Sequence, residues 1–376
     1  MRPPHSTHAT SDEAFAARAA YLATRADVAT SPNPRVGCVI VAADRIVAEG
    51  LFRRDGGPHA EIDALAKLPP ASTLPRPELT AYVSLEPCSV TGRTPPCADR
   101  LVREGFGRVV VSALDQTTGV CGEGLARLRR GGAAVTFGPG QRLAYAIARP
   151  RNVFVAHHRP FVVLKQAVSA DGAVGRRGSR VSITASMANV ISHQWRADAD
   201  AILVGVGTFL ADAPTLSTRL VSGRSPDVVV YDPEGRLSPK RVAAHFGSAE
   251  MSAIDRRVYH ATPEEAVSGY AEASITTLSL AAAAPLPSLL TALHERRLGR
   301  LLVEGGPSTL QDFASSRMWD EYRQWTSPRP LAQGAGAPIP ACRIRGELLT
   351  STRVGRDVLT TYSPLDRDCT AALNRD

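Results

Sequence analysis

A histidine, a glutamate and two cysteines place the tightest limit on how this chain can fold. They stand in two short strings, His59-Ala60-Glu61, and Pro87-Cys88 followed by Cys97 after eight intervening residues. An imidazole and two thiolates are ligands that zinc takes in tetrahedral geometry, and a reactive zinc site uses three protein ligands with a fourth position open. If His59, Cys88 and Cys97 serve one ion, three backbone segments must converge on a point. The surrounding sequence suits this. Leu79 to Leu85 reads as a strand whose end, Glu86-Pro87-Cys88, can deliver Cys88 to a helix start, and His59-Ala60-Glu61 opens another helical stretch. A lone His-x-Glu means little, and scattered cysteines are often buried small hydrophobes; the combination in this context is what carries the reading. A bound metal brings the pKa of a water near neutrality. Glu61, two residues from the histidine, can then shuttle its proton without being a ligand.

The rest of the composition bounds the class. A length of 376 residues with 44% hydrophobic content predicts two domains, each with its own core. No apolar stretch approaches the roughly 18 residues of a membrane span, and Met1 to Thr10 lacks the apolar centre of a signal peptide, so a cytoplasmic location is expected. The cysteines, Cys38, Cys88, Cys97, Cys121, Cys342 and Cys369, are too scattered for a disulfide framework. The net charge is +8, with lysine only at Lys67, Lys165 and Lys240. This charge suits phosphorylated substrates or nucleic acid, but the absence of a dense basic run favours a plain bias towards arginine. No basic stripe interleaved with aromatics, of the kind that single-strand binders use, is present.

Thr10 and Glu13 form a capping-box pattern before an Ala-rich helix to about Asp27. After Ser31-Pro32-Asn33-Pro34, Val36–Ala43 and Ile46–Phe52 read as a hairpin around Asp44-Arg45. Helices are predicted at His59–Lys67, Cys97–Glu104 and near Glu123–Arg130, and strands at Leu79–Leu85, Arg108–Leu114 and Ala133–Phe137. This alternation predicts an α/β domain over residues 1–148. The basic, Pro-bounded stretch 149–160 reads as a linker. A second α/β series, over 161–376, has strands at Phe161–Val168, Ala201–Val206, Asp227–Tyr231, Arg257–Ala261 and Arg300–Val303. Its helices are Thr184–Ala197, Ser288–Arg296 and Pro307–Ser315. The last dozen residues read as a loose tail.

With both halves in view, the chain resembles the bifunctional riboflavin-biosynthesis deaminase–reductases. The strings that carry the resemblance are Pro32-Asn33-Pro34-Arg35-Val36-Gly37-Cys38, His59-Ala60-Glu61, Leu85-Glu86-Pro87-Cys88-Ser89 and Gly92-Arg93-Thr94-Pro95-Pro96-Cys97. Other nucleobase deaminases use Cys-x-x-Cys; the eight-residue gap is particular to this family. The resemblance implies a cytidine-deaminase-like α/β/α domain, followed by a dihydrofolate-reductase-like α/β domain. It implies that His59, Cys88 and Cys97 hold Zn2+ and that Glu61 is the proton shuttle. Asn33 would touch the pyrimidine and Asp115 would lie at the rim. Arg93 is a phosphate candidate, since guanidinium matches phosphate geometry. In the second half, Leu164-Lys165, Ile183-Thr184, His193-x-x-Arg196 and Thr208 to Leu216 with Arg219 continue the pattern, and Val303-Glu304-Gly305-Gly306-Pro307 is its sharpest string. By resemblance Lys165, Thr184, Thr208, Asp212, Gly305 and Gly306 bind NADPH, the glycine pair letting backbone N–H groups meet a phosphate at a helix start. Arg196, Leu216, Arg219 and Glu304 would bind substrate. The expected partner is a small phosphorylated pyrimidine, with neither nucleic acid nor membrane, and the expected assembly is a homo-oligomer.

The departures fall on recognition, not on the zinc ligands. Val90 stands where the family has His, and Gln116-Thr117-Thr118 where it has Pro-Asn-Pro. Arg180 and Ser182 replace a Ser and a Trp, and Ala213 replaces an Asp. Losing a buried stacking or hydrogen-bonding contact costs a few kcal/mol of binding. The pattern fits a deaminase with slow or absent reduction, in a divergent enzyme or a specialised-pathway paralogue. An RNA-editing deaminase shares the His-x-Glu and Pro-Cys elements but not the second domain. A structural zinc protein would need a fourth ligand, for which only a fold that recruits Cys121 or His157 would serve.

Overall fold

Two series of strands and helices fold separately, one within Met1–Arg159 and one within Pro160–Asp376. The structure is a computed structural model that describes residues 7–70, 73–92, 95–179, 181–266, 275–331 and 336–365. Arg93, Arg180 and the C-terminal tail from 366 lie outside the described residues.

The first unit runs α1 (Thr7–Thr24), β1 (Gly37–Ala42), β2 (Arg45–Leu51), α2 (Ala60–Leu65), β3 (Thr80–Val83), α3 (Cys97–Glu104), β4 (Arg108–Val111), α4 (Glu123–Arg130), β5 (Ala134–Phe137) and α5 (Gln141–Ala156). The sheet order is β2-β1-β3-β4-β5. The first three strands pair antiparallel, and β3, β4 and β5 are parallel. Side chains alternate across a strand, so each central strand feeds two cores. Cys38, Ile40, Val83, Val109 and Val111 pack with Ala60, Ala64, Ala98, Leu101 and Leu128 of α2, α3 and α4. Val39, Val41, Tyr82 and Val110 pack instead on Ala16 and Ala19 of α1. Burial on both faces is why these strands are nearly continuous apolar runs.

Three expectations are corrected here. Helix α1 begins at Thr7, so Thr10 lies inside it and not at its start, and Glu13 Oε2 accepts from Gly140 N at 2.8 Å. The hairpin turns on Ala43-Asp44, both with positive φ (44° and 58°), and Arg45 belongs to β2. Residues 149–160 are not a plain linker. Helix α5 continues through Pro150 to Ala156, burying Ala144, Ala148, Val153 and Phe154.

The second unit runs β6 (Phe161–Val168), β7 (Ala173–Arg176), α6 (Ser186–Ala197), β8 (Ala201–Gly205), α7 (Val206–Asp212), β9 (Asp227–Tyr231), α8 (Pro239–Phe246), α9 (Ala249–Ser252), β10 (Val258–Pro263), β11 (Thr276–Leu280), α10 (Pro285–Glu295), β12 (Arg300–Val303), α11 (Pro307–Ser315), β13 (Glu321–Thr326), β14 (Pro338–Pro340), β15 (Glu347–Val354) and β16 (Asp357–Ser363). The main sheet has the order β11-β10-β9-β8-β12-β6-β13-β16-β15. From β11 to β13 it is parallel, and the hairpin β15–β16 closes it antiparallel. Parallel order requires crossovers, and α6, α7, α8, α10 and α11 lie between consecutive strands. The core on one face joins Leu164, Leu203, Val229 and Val303 to Leu289, Leu293 and Phe313. The hairpin, α7, α8 and β13 exceed what the sequence pattern predicted. No helix among the described residues is long and apolar enough to cross a membrane.

One close approach links fold to site. A Cβ at Gly50 on β2 would lie 1.9 Å from Ala60 O and 2.5 Å from Ala64 N. Helix α2, with Glu61 in its first turn, therefore rests directly on β2 backbone. Gly50→Ala is expected to push α2 away, destabilising the first unit by on the order of 1–3 kcal/mol. The check is a lowered first transition in thermal unfolding; an unchanged melt would show that α2 can shift freely.

Candidate active sites

The first site forms where α2 and α3 begin beside the end of β3. His59 occupies the residue before α2 in an extended conformation (φ −63°, ψ 160°) and makes no side-chain capping bond to the helix. Phe52 packs edge-on against that ring, with centroids 5.5 Å apart. Cys97 is the first residue of α3, after Pro96. Cys88 lies opposite, and its Sγ accepts the Cys97 N–H at 3.3 Å. A thiolate is favoured at a helix N-terminus, where free amides and the helix dipole meet it.

The three candidate ligands converge. His59 Nδ1 stands 3.6 Å from Cys88 Sγ and 3.3 Å from Cys97 Sγ. All three atoms lie within 4.8 Å of one another. Tetrahedral zinc with ordinary Zn–S and Zn–N bonds sets neighbouring donors about 3.5 Å apart, so the set fits zinc. Among the described residues, neither Cys121 nor His157 joins this cluster, which has the three-ligand form of a reactive site. Cys88 is held below the usual thiol range, first by the hydrogen bond from Cys97 and, after burial acts against it, by His59. The same coupling to Cys88, with burial, pushes Cys97 up.

Glu61 is 3% exposed. Burial pushes its carboxyl up to about 7, against the opposing effect of His59. It lies in the first turn of α2, two residues from His59, as a proton shuttle beside the ligands requires.

Glu86, quoted in the sequence only as part of a string, proves to be the anchor of the Cys88 loop. Its Oε1 accepts from Gly124 N at 2.9 Å and Leu125 N at 3.4 Å, and its Oε2 from Gly122 N at 3.0 Å. These are orphan amides at the start of α4. Asp115 accepts from Thr117 N at 2.9 Å and Thr117 Oγ1 at 2.6 Å. Its loop is tied to the ligand loop by Ser89 Oγ, which donates to Gly119 O at 3.0 Å. Asn33 donates to Asp55 Oδ1 at 2.7 Å. Val90 is 48% exposed. Arg93, the phosphate candidate, lies outside the described residues.

In the second unit β6, α6 and the end of β12 bring three predicted residues together. Arg196 grips Glu304 with two bonds of 2.8 Å, and Lys165 Nζ lies 3.8 Å from Glu304 Oε2. Burial disfavours the charged carboxylate, yet Arg196 and Lys165 outweigh it and hold Glu304 at about 2. His193, one helical turn before Arg196, joins this group and was given no role from the sequence. Burial, then Arg196 and Arg219, lowers it to about 4, so the imidazole is neutral at neutral pH.

The glycine pair lies next to this group. Gly205 N donates to Gly305 O at 3.0 Å. A Cβ at Gly306 would lie 3.0 Å from Thr208 Oγ1. Gly306 caps α11, so a phosphate there would meet helix amides. Asp212 ends α7. Thr184 Oγ1 donates to Asn189 Oδ1 at 3.0 Å, a bond local to α6. Leu216 is 3% exposed, so its backbone, not its side chain, is what it can offer a ligand. Arg219 is exposed and donates to Thr215 Oγ1 at 3.3 Å. Ser182, where the family has Trp, is exposed and donates to Thr184 O at 3.3 Å.

Comparison with known proteins agrees with this geometry. Residues 9–113 match the family described as cytidine and deoxycytidylate deaminase zinc-binding region, and residues 160–359 match the RibD C-terminal domain. The riboflavin biosynthesis protein RibD of Aquifex aeolicus is 32% identical over 86% of this chain and 88% of its own length. That of Escherichia coli is 33% identical over 86% and 89%. The crystal structure of a diaminohydroxyphosphoribosylaminopyrimidine deaminase/5-amino-6-(5-phosphoribosylamino)uracil reductase from Thermotoga maritima superposes with a TM-score of 0.82 at 30% identity, covering 95% of this chain and 100% of that one. Acinetobacter baumannii RibD superposes with a TM-score of 0.80 at 30% identity and the same coverage. With a zinc-type ligand triad in one unit and a Glu304–Gly305–Gly306 cradle in the other, the chain belongs to the RibD family of bifunctional riboflavin-biosynthesis deaminase–reductases.

Proposed function

We propose that the chain performs two consecutive reactions on one phosphoribosylated pyrimidine. The first unit deaminates a diaminopyrimidinone ribotide by hydrolysis, and the second reduces the ribosyl group to ribityl with NADPH, more slowly. The observation that carries the reading is the convergence of His59, Cys88 and Cys97 beside the buried Glu61.

His59, Cys88 and Cys97 would hold zinc, which when bound would supply the Lewis acidity that lets water attack near pH 7. Glu61 takes the proton of the attacking water on a carboxylate oxygen and returns it to the leaving amine, so that ammonia departs neutral. Its burial disfavours the charged carboxylate and so helps it to hold that proton. Asn33 and Asp115 flank the pyrimidine, and Arg93 answers the phosphate.

In the second unit the residues around Gly305 and Gly306 would hold NADPH, which when bound would supply the reducing hydride. Gly306 and the first amides of α11 receive a cofactor phosphate, with Thr208 beside them. Arg196 and Lys165 keep Glu304 ionised, so its carboxylate can accept from ribose hydroxyls while Arg219 faces the substrate phosphate. The exposed Ser182 offers no ring for stacking, which supports slow reduction. The protein acts in the cytoplasm as a homo-oligomer. Support for assembly comes from β15, whose eight residues form a sheet edge with Leu348 56% and Leu349 42% exposed, a kind of edge that proteins commonly cover.

The purified protein is expected to hold about one zinc per chain, and Cys88→Ser to lose most of it in elemental analysis. Zinc retained in full by that variant would remove Cys88 from the ligand set. Glu61→Gln is expected to keep zinc and fold while ammonia release falls about 10²–10⁴-fold; activity within a few-fold of the unmodified enzyme would exclude the shuttle. Ser182→Trp should raise kcat/KM for NADPH about three- to ten-fold by restoring an aromatic contact. No change would mean that this loop does not reach the cofactor.

A further inference from the structure

The loop Ala213–Arg219 is held by its carbonyls. His245 Nε2 donates to Pro214 O at 3.3 Å. Arg256 Nη2 donates to Thr215 O at 2.7 Å, and its Nη1 to Leu216 O at 3.1 Å. Arg196 Nη1 donates to Ser217 O at 3.0 Å. Four successive carbonyls thus end on side-chain donors from three distant positions. At the centre Leu216 has φ 53°, a left-handed conformation that is unfavourable for a residue other than glycine.

Arg256 is shaped for this task. Two adjacent carbonyls match the fixed fork of a guanidinium, whereas an ammonium is a point donor. Its Cζ lies over the Phe246 ring, 5.6 Å from the centroid. Phe246 in turn packs on His245 and Phe209, with centroids 4.7 and 5.9 Å away, so the fork is oriented from behind. Burial and nearby Arg196 lower Arg256 to about 10, which leaves it a cation at neutral pH. Thr215 then passes the constraint on: its carbonyl accepts from Arg256, and its Oγ1 accepts from Arg219 at 3.3 Å.

We infer that Arg256 is a positioning residue for the reductase site: by holding the Thr215–Leu216 turn it presents Arg219, and the Ser217 carbonyl on Arg196, to the ribotide. This rests on the reading of the second unit as a ribotide reductase. Arg256 touches neither Glu304 nor the glycine pair among the described contacts, so the inference concerns substrate affinity and not the hydride step.

The test uses the full-length enzyme with Arg256→Gln and Arg256→Lys. NADPH oxidation is followed against the concentration of the deaminated ribotide, and amide hydrogen exchange is followed over residues 213–219. Arg256→Gln is expected to raise KM for the ribotide about ten-fold with kcat nearly unchanged, since two charged hydrogen bonds outside the reacting atoms are lost. Arg256→Lys should recover part of that loss. Exchange in the loop should quicken in the order unmodified, Lys, Gln, while ammonia release by the first unit stays constant. Unchanged KM and exchange, or a fall in kcat with KM flat, would overturn the inference. If the Gln variant fails to fold, the Lys variant decides: an intermediate KM supports the inference and an unchanged one overturns it. If the unmodified enzyme oxidises no NADPH with the ribotide, the reductase reading fails, and the exchange rates still decide whether Arg256 holds the loop.

Discussion

A carboxylate taken out of water must find positive or N–H partners, and that requirement organises both sites. In the first unit Glu86 reaches the open amides of α4. That contact pins the residues after β3, and so places Cys88 against the start of α3. In the second unit Glu304 follows β12, and its burial is sustained by Arg196 from α6 and Lys165 from β6. A buried ion pair of this kind is costly to break from one side, because the survivor is left uncompensated. The pair therefore fixes the relation of three elements whatever it adds to net stability.

The same geometry explains why the chemistry gathers where it does. Cys88 and Glu86 follow β3, Asp115 follows β4, Gly205 ends β8, and Glu304 with the glycine pair follows β12. All are C-terminal ends of parallel strands, the edge at which open α/β sheets bind ligands. Helix starts face the same edge, so the free amides of α3 and α11 lie beside Cys97 and Gly306. The second unit adds a device of its own, the donors of Arg256, His245 and Arg196 along four loop carbonyls. It holds a left-handed leucine where a glycine would have left the turn loose.

Much of this was legible in the sequence. The strings His59-Ala60-Glu61 and Pro87-Cys88 with Cys97 determined the ligand set, because zinc accepts few residue types and their local contexts are stereotyped. Periodicity and end signals determined several elements at both ends, α3, α4, β6, β9, β12 and α11 among them. Each is short, apolar on its buried face and starts directly after a Gly or a Pro. What only tertiary structure decided depends on partners far away in the chain. Pro150 and its flanking arginines suggested a linker, yet apolar contacts carry α5 through it. The Thr10–Glu13 capping box was locally plausible, yet Glu13 is drawn to Gly140, more than a hundred residues on. Arg256 carries no motif, since its meaning lies in two carbonyls forty positions earlier. Local pattern records what a residue prefers; the fold determines which distant groups it can reach, and buried polar groups follow the reach.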